Sequence, residues 1–512
     1  MSTFVQLTDL SPASLTLAPG EIGLVGRNAT VANFVSGAPI SQTTGGVARL
    51  VVEGSVVGGV GGSGAINAQG MDIRISETGS VIAMQPPNPS QFSTFGATAA
   101  IANFATGIFV SGVFMPSARN PMNLVNDGFI SGARDGVGSY RVLSGNVVNN
   151  GSISGAEMGI NFNDLAFSDV ASGVITITNT GTINGGFRGI LAGSDNTSMT
   201  TTIVNTGEIT GGTVGILAAA SSGTVSITNA GIVRGSLFGI ELRPSDDIVI
   251  NTGTIFGDVV MSAGNDVFDG RSGRMVGDVR GSSGNDALYG GLGADHLFGD
   301  EDNDTLYFDA EDLRLGTVLG GTGYDIGHNT DAATPLTLNL TAHQLEAYFG
   351  AAADEVIIAG NLGGFGGFIR TEAGNDVVDG SPQADAIDGG AGVDVLYGRG
   401  GSDDLAGGLG ADWLQGGAGA DTFRYTALTD STVNGQDYIA DFSTADGDKI
   451  NLNNALAGLG PVTFNTGFGT GTSVYVFAGG GGTSLVQVYT GATLQMQIVA
   501  SQPGLVQSDF VL

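Results

Sequence analysis

Residues 389–424 read GGAGVDVLY, GRGGSDDLA, GGLGADWLQ and GGAGADTFR, four nonapeptides in tandem. Each has Gly at its fourth place, Asp at its sixth (Asp394, Asp403, Asp412, Asp421) and an apolar residue at its eighth (Leu396, Leu405, Leu414, Phe423). Glycines permit a tight loop that a Cβ would obstruct. The Asp closing the loop offers carboxylate oxygen, and a strand of two or three residues then turns its apolar side chain inward. Two nonapeptides make one turn of a parallel β-roll, whose stacked loops form oxygen cages suited to a hard cation such as Ca²⁺. A single ninemer would mean little in a chain with 89 glycines. Four in register carry the fold.

The pattern runs backward through GSPQADAID (Asp385) and TEAGNDVVD (Asp376). An earlier block holds GSSGNDALY, GGLGADHLF and GDEDNDTLY, with Asp286, Asp295 and Asp304 at the sixth place, and an outlying SAGND supplies Asp266. The copy GGTGYDIGH keeps Asp325 but has Gly327 where the apolar residue belongs, which predicts an incomplete site. With these residues the chain resembles the RTX (hemolysin-type calcium-binding repeat) proteins exported by Gram-negative type I systems. The resemblance implies several Ca²⁺ ions as cofactors, held at Asp266, Asp286, Asp295, Asp304, Asp376, Asp385, Asp394, Asp403, Asp412 and Asp421. Further on, Asp437-Tyr-Ile439-Ala-Asp441-Phe442 and Asp446-Gly-Asp448-Lys-Ile450-Asn-Leu452 resemble the C-terminal module of serralysin-type proteins. Asp509-Phe510-Val511-Leu512 is similar to that family's uncleaved secretion signal, which implies the type I secretion apparatus as a partner. At Tyr489-Thr-Gly-Ala the sequence lacks the further Asp residues of that pattern.

The 512 residues carry a formal net charge of −32, with one lysine, Lys449. A chain this acidic repels nucleic acid and anionic lipid and attracts divalent cations or basic surfaces. Zero cysteines exclude disulfides and thiolate metal sites. The first basic residue is Arg27, so no basic n-region is present and export is expected to be addressed from elsewhere. Residues 97–115 are uncharged but contain Asn103 and Thr106 and no flanking basic anchor before Arg119. They are expected to form a solenoid rung and not a membrane span.

The first half carries a wider repeat, N-x-G-x-[IV]-x-G-x-x-x-G-[IV]. It is complete at Asn179/Gly181/Ile183/Gly185/Gly189, at Asn205/Gly207/Ile209/Gly211/Gly215 and at Asn229/Gly231/Val233/Gly235/Gly239. Copies around Gly128 and Gly151 fit as well, fainter ones begin at Gly54 and Gly79, and a late one at Gly253 lacks the final glycine. The clear rungs lie 22 to 30 residues apart, the length of one coil of a right-handed parallel β-helix. Recurring Asn at one rung position predicts a stacked amide ladder that satisfies main-chain groups in a turn. Residues before Gly54 are expected to form an irregular capping coil.

The expected fold is all-β: a right-handed parallel β-helix running into a calcium-binding parallel β-roll, closed by a small antiparallel module. The expected divisions are 1–260 for the β-helix with its cap, 261–307 for the first roll block, 308–370 for a spacer, 371–424 for the second block and 425–512 for the C-terminal module. Within the spacer, PLTLNL reads as a strand and residues 341–349 as a short capped helix.

No catalytic residue is expected. The only histidines, His296, His328 and His343, lie outside any HExxH, no GxSxG occurs, and residues 1–260 contain neither His nor Lys. Similarity to modular alginate C5-epimerases suggests the alternative of a polyuronate epimerase or lyase, which needs a base, an acid and a cation converging on one face. In residues 1–260 the arginines and acids fall at different rung offsets. Composition and export route together resemble alphaproteobacterial S-layer proteins and RTX adhesins. The expectation is a secreted, extracellular or cell-surface protein, partnered by calcium and by further copies of itself in a lattice or filament, or by a cell-surface polysaccharide. Aligned aspartates repel one another by about 1 kcal/mol per pair, so the roll is expected to fold only once extracellular calcium is met.

Overall fold

The computed structural model describes residues 122–512 except 133, 141–143, 163–171, 195–197, 221–222 and 465–470; before 122 it describes only the backbone of short strands between Phe4 and Ser111. The chain divides into two compact units, Met1–His296 and Leu297–Leu512.

In the first unit a coil consists of three short strands. Ser172–Asn179, Thr182–Gly185 and Arg188–Ser194 pair in parallel with Ser198–Asn205, Glu208–Gly211 and Val214–Ala220 of the next coil. The register places like on like. Ile153, Ile183, Ile209, Val233 and Ile255 form one core column, and Val147, Ile177, Ile203, Ile227 and Val249 another. None of these is more than 1% exposed, and each buried aliphatic contributes about 1.5–3 kcal/mol. A thin solenoid reaches a continuous core in this way, because each coil buries its neighbour's. Gly181 shows why the rungs need glycine: a Cβ there would lie on the carbonyl oxygen of Gly151 in the coil before.

The recurring asparagines do form a ladder. The side-chain amide of Asn126 donates to Asn149, Asn149 to Asn179, Asn179 to Asn205, Asn205 to Asn229 and Asn229 to Asn251, at 2.6–2.8 Å. The six residues are at most 1% exposed. Each amide also meets a main-chain carbonyl, as Asn179 meets that of Gly181 at 3.2 Å. The ladder stops at Asn251, where the next coil has Gly270 and the amide turns to the Arg274 carbonyl at 3.3 Å. There the coil shortens, from 22 residues between Asn229 and Asn251 to 20 between Asp266 and Asp286. The wide coil thus gives way to the roll coil inside one compact unit.

Parallel pairing begins at Phe4–Leu7, which pairs with Ile22–Val25, within the stretch expected to be irregular. The faint copies at Gly54 and Gly79 fall in register, since Ser55 pairs with Ser80 and Ser80 with Phe129. Of residues 97–115 only Ile108–Ser111 is described, as a strand paired with Asp135–Tyr140.

The second unit is built on two ladders. One nonapeptide feeds each in turn, so two complete a coil. Ile369, Ile387, Leu405, Phe423 and Ile450 stack on one side, and Ile357, Val378, Leu396, Leu414 and Ile439 on the other. The spacer is itself part of this coil: Ile326–Asn329, Ala347–Phe349 and Phe368–Arg370 continue one ladder, Leu336–Asn339 and Glu355–Ile358 the other. The helix expected over residues 341–349 is a single turn, Leu340–His343, capped by Asn339 and ended by Gln344 at φ 55°. Ala347–Phe349 is a strand instead, because Tyr348, 0% exposed, fills the core opposite Gly327. Tertiary packing overrides local helix preference there.

The closing module has the expected antiparallel strands, Thr472–Ala478, Ser484–Thr490 and Thr493–Ala500. Phe510–Val511 adds in parallel to Lys449–Asn451. Among the described residues no helix is long and apolar enough to cross a membrane.

Candidate metal centre

The sixth-position aspartates are side chains turned into the coil. In residues 371–424 each is at most 3% exposed. One carboxylate oxygen accepts the main-chain N–H of the Asp 18 residues earlier: Asp376 donates to Asp394, Asp385 to Asp403, Asp394 to Asp412 and Asp403 to Asp421, at 2.8–2.9 Å. Two files result. They end on the closing module, where the N–H groups of Asp412 and Asp421 donate to Asp437 and Asp448, both at 3.0 Å.

The second oxygen is different. Oδ2 of Asp376, Asp394, Asp403, Asp412 and Asp421 is buried with no hydrogen-bond partner in the protein. A neutral polar atom in that state costs about 1–3 kcal/mol, and a charged one more. In Asp394, Asp403, Asp412 and Asp421 this oxygen faces the first glycine of its own nonapeptide, whereas Asp376 has Thr371 at that place. A Cβ on Gly389 would lie 2.6 Å from Asp394 Oδ2 and 2.9 Å from the Gly407 carbonyl oxygen of the next coil. Glycine therefore opens a cradle in which a carboxylate oxygen and a main-chain carbonyl meet.

The same arrangement recurs outside that block. In the first unit the Asp266 N–H donates to Asp286 at 2.8 Å, and Asp266 Oδ2 has no partner. Asp286 and Asp295 are each 2% exposed. In the second unit Asp304, 1% exposed, donates its N–H to Asp325 at 2.8 Å, and Asp325 donates to Glu346 at 2.8 Å. Asp325 thus stands in the file with an unpartnered Oδ2, despite Gly327. The Phe308 ring and Leu345 occupy the room, 3.0 and 2.9 Å from where a Gly327 Cβ would be.

Asp385 departs from its neighbours. Its carboxylate accepts the Gly367 N–H at 2.5 Å, the Ser381 hydroxyl at 2.7 Å and the Ser381 N–H at 2.6 Å. Protein donors satisfy both oxygens there. Glu355 stands between the two kinds, with Oε1 accepting from Asn329, Tyr348 and the Ala351 N–H at 2.8–3.0 Å while Oε2 has no partner.

Burial acts on these acids as it must on carboxylates taken out of water. It pushes Asp376 and Asp412 up to about 6, Asp394, Asp403 and Asp325 to about 7, and Asp266 to about 8. Asp385 and Asp421 are raised for the same reason. Among the described residues no three His, Cys, Asp or Glu side chains converge on one point. A cation held here must draw most of its six to eight oxygens from main-chain carbonyls, and stacked glycine loops supply those. The buried second oxygens and the glycine cradles fit Ca²⁺.

Asp247, Glu355, Asp437 and Asp448 belong to these files without belonging to a recognisable nonapeptide. Their shared signal is an acid two residues before a core aliphatic, here Val249, Ile357, Ile439 and Ile450. The histidines lie elsewhere. His296 is 3.9 Å from Asp278, His328 is stacked between Tyr307 and Phe349, and His343 meets the Asn339 carbonyl.

No curated protein matches the sequence. Among solved structures it is similar to the solution structure of the AlgE6R3 subunit from the Azotobacter vinelandii mannuronan C5-epimerase, with 27% identity over 32% of this chain and 80% of that one and a TM-score of 0.23. The family model for the RTX calcium-binding nonapeptide repeat (4 copies) matches residues 279–312, 363–396 and 397–430. Within those three stretches the stacked loops, with their buried aspartates, are RTX calcium-binding nonapeptide repeats.

Proposed function

We propose that this calcium-binding β-roll protein is a secreted structural or surface protein of the S-layer, matrix-filament or adhesin type, folded by the calcium it meets outside the cell. The observation that carries this reading is the file of buried aspartates with one unpartnered oxygen each. Asp266, Asp286, Asp295, Asp304, Asp376, Asp394, Asp403, Asp412 and Asp421 are the proposed ligands, with Asp325 added, while Asp385 closes its own loop through Ser381. Ca²⁺ would supply the positive charge that these carboxylates lack. The chain's own part is to bury them, align them one per half-coil and surround them with carbonyls.

The proposed division of labour follows the sequence blocks. Residues 1–260 present the surface, 261–307 and 371–424 bind calcium, 308–370 continue the coil of the second block and add Asp325, and 425–512 close the roll and carry the type I export signal. A net charge of −32 keeps the chain open where calcium is scarce. Far-UV circular dichroism during a calcium titration tests the reading. Coil is expected to convert to β within the second half, and a spectrum indifferent to calcium would refute it. Electron microscopy of the calcium-loaded protein then separates ordered arrays, expected of a lattice former, from single rods, expected of an adhesin. Turnover of polyuronate by the same sample would replace both with an epimerase or lyase.

A further inference from the structure

The acid file of the first unit begins before any nonapeptide. Residues 242–247, Leu-Arg-Pro-Ser-Asp-Asp, contain no glycine and lie outside the matched repeats. Strand Ile248–Asn251, which follows them, pairs with Val267–Asp269 so that Ile248 faces Val267 and Val249 faces Phe268. That register sets Asp247 beside Asp266, Asp246 beside Asn265 and Ser245 beside Gly264. The hydrogen bonds repeat those of the roll. Asp247 N–H donates to Asp266 at 2.7 Å, Asn265 N–H to Asp246 at 2.8 Å, and Val225 N–H, one coil earlier, to Asp247 Oδ1 at 2.8 Å. The Ser245 hydroxyl adds a second bond to that oxygen, at 2.6 Å.

Two independent observations point to a ligand. Asp247 is 1% exposed and its Oδ2 is buried without a partner; Asp266, also 1% exposed, has an unpartnered Oδ2 in the adjoining coil. The Ser245 carbonyl oxygen lies 2.3 Å from where a Gly264 Cβ would be, so glycine at 264 lets the two acid-bearing loops stack closely, main chain on main chain. The nearest cation on the loop, Arg243, is ion-paired with Glu241 at 3.1 Å. We propose that Asp247 and Asp266, with carbonyls of the 242–247 and 261–266 loops, hold a divalent cation of the Ca²⁺ type, so that the metal file starts on the last wide coil of the β-helix. The inference rests on the reading of the roll as calcium-binding and extends it to a loop with no repeat signature.

The consequence is that calcium reaches strand Val225–Asn229 through the Val225–Asp247 bond. Hydrogen exchange of the full chain, with excess calcium and with chelator, tests this. Calcium should slow exchange over residues 225–229 and 247–251 as well as over 371–424. The Asp247→Asn variant should bind one calcium fewer per chain and lose the first effect while keeping the second. Asp246→Asn, changed at an exposed neighbour, should keep both. Protection at 371–424 with none at 225–251 in the unmutated protein, or an unchanged calcium count in Asp247→Asn, overturns this inference alone. No calcium effect at 371–424 would instead overturn the reading of the roll. The unmutated protein decides the matter if Asp247→Asn does not fold.

Discussion

The second residue of most nonapeptide loops adopts a left-handed backbone whatever its side chain, Gly291 and Ser381 being exceptions. Gly390, Gly408 and Gly417 sit there at φ 91°, 94° and 99°, and so do Ser262, Ser282, Glu372 and Arg399 at φ 78°, 86°, 69° and 78°. A side chain in that region costs about 1–2 kcal/mol, partly offset by the entropy that glycine loses on folding. Ser282→Gly is therefore expected to stabilise the calcium-loaded protein by about 1 kcal/mol, and a thermal melt with an unchanged or lower midpoint would count against it. The two kinds of sixth-position Asp give a sharper contrast. Asp403→Asn alters an unpartnered oxygen and should raise the calcium concentration at half-folding about tenfold. Asp385→Asn changes a carboxylate already held by Ser381 and Gly367, so it should destabilise the protein with comparatively little change in that midpoint. Equal shifts for both would show that the unpartnered oxygens do not mark the metal.

The Asn ladder and the acid files are the elements that hold coil to coil, and they differ in what they need. An amide donates and accepts, so Asn205 satisfies both neighbours without an ion. A carboxylate only accepts, which leaves an oxygen over in each coil. Asn205→Ala should cost about 2–4 kcal/mol by leaving the buried Asn179 amide and Asn229 side-chain carbonyl short of a partner, with chelator and calcium giving the same loss at residues 198–211 by hydrogen exchange. Much of this was legible in the sequence, because both repeats are periodic and periodicity is what a solenoid stacks. The glycine, aspartate and aliphatic offsets predicted the ladders, the core columns and the half-coil of nine residues. What escaped was non-periodic. Residues 308–370 join the coil through Tyr348 opposite Gly327 and through Glu355 in place of an aspartate, exchanges that only a three-dimensional register exposes. Asp385 looked like its neighbours until Ser381 was seen to occupy its oxygens.

At the scale of the whole molecule, burial sets the response to acid. Asp394 and Asp403 rise to about 7 and Asp437 to about 8, from an ordinary 3.8. The folded, metal-free state thus holds protons that the unfolded chain releases above about pH 4. This contribution to stability is complete below pH 4 and drains away as pH climbs toward 8. In chelator the roll, open at pH 8, should gain β structure as pH falls to 5, whereas calcium affinity should fall because protons compete for the same oxygens; circular dichroism in chelator showing less β structure at pH 5 than at pH 8 would contradict the burial of these acids. The files also have a direction. In the acid files each N–H is offered forward to an acid that comes later in the chain, and the last two offers, from Asp412 and Asp421, are met by Asp437 and Asp448. A nascent or threading chain that has delivered residues up to 430 is a zipper still missing its stop. The slider cannot lock until the tail arrives, so transit in the amino-to-carboxyl sense leaves the last roll coils open at their end until residues 437 and 448 have emerged.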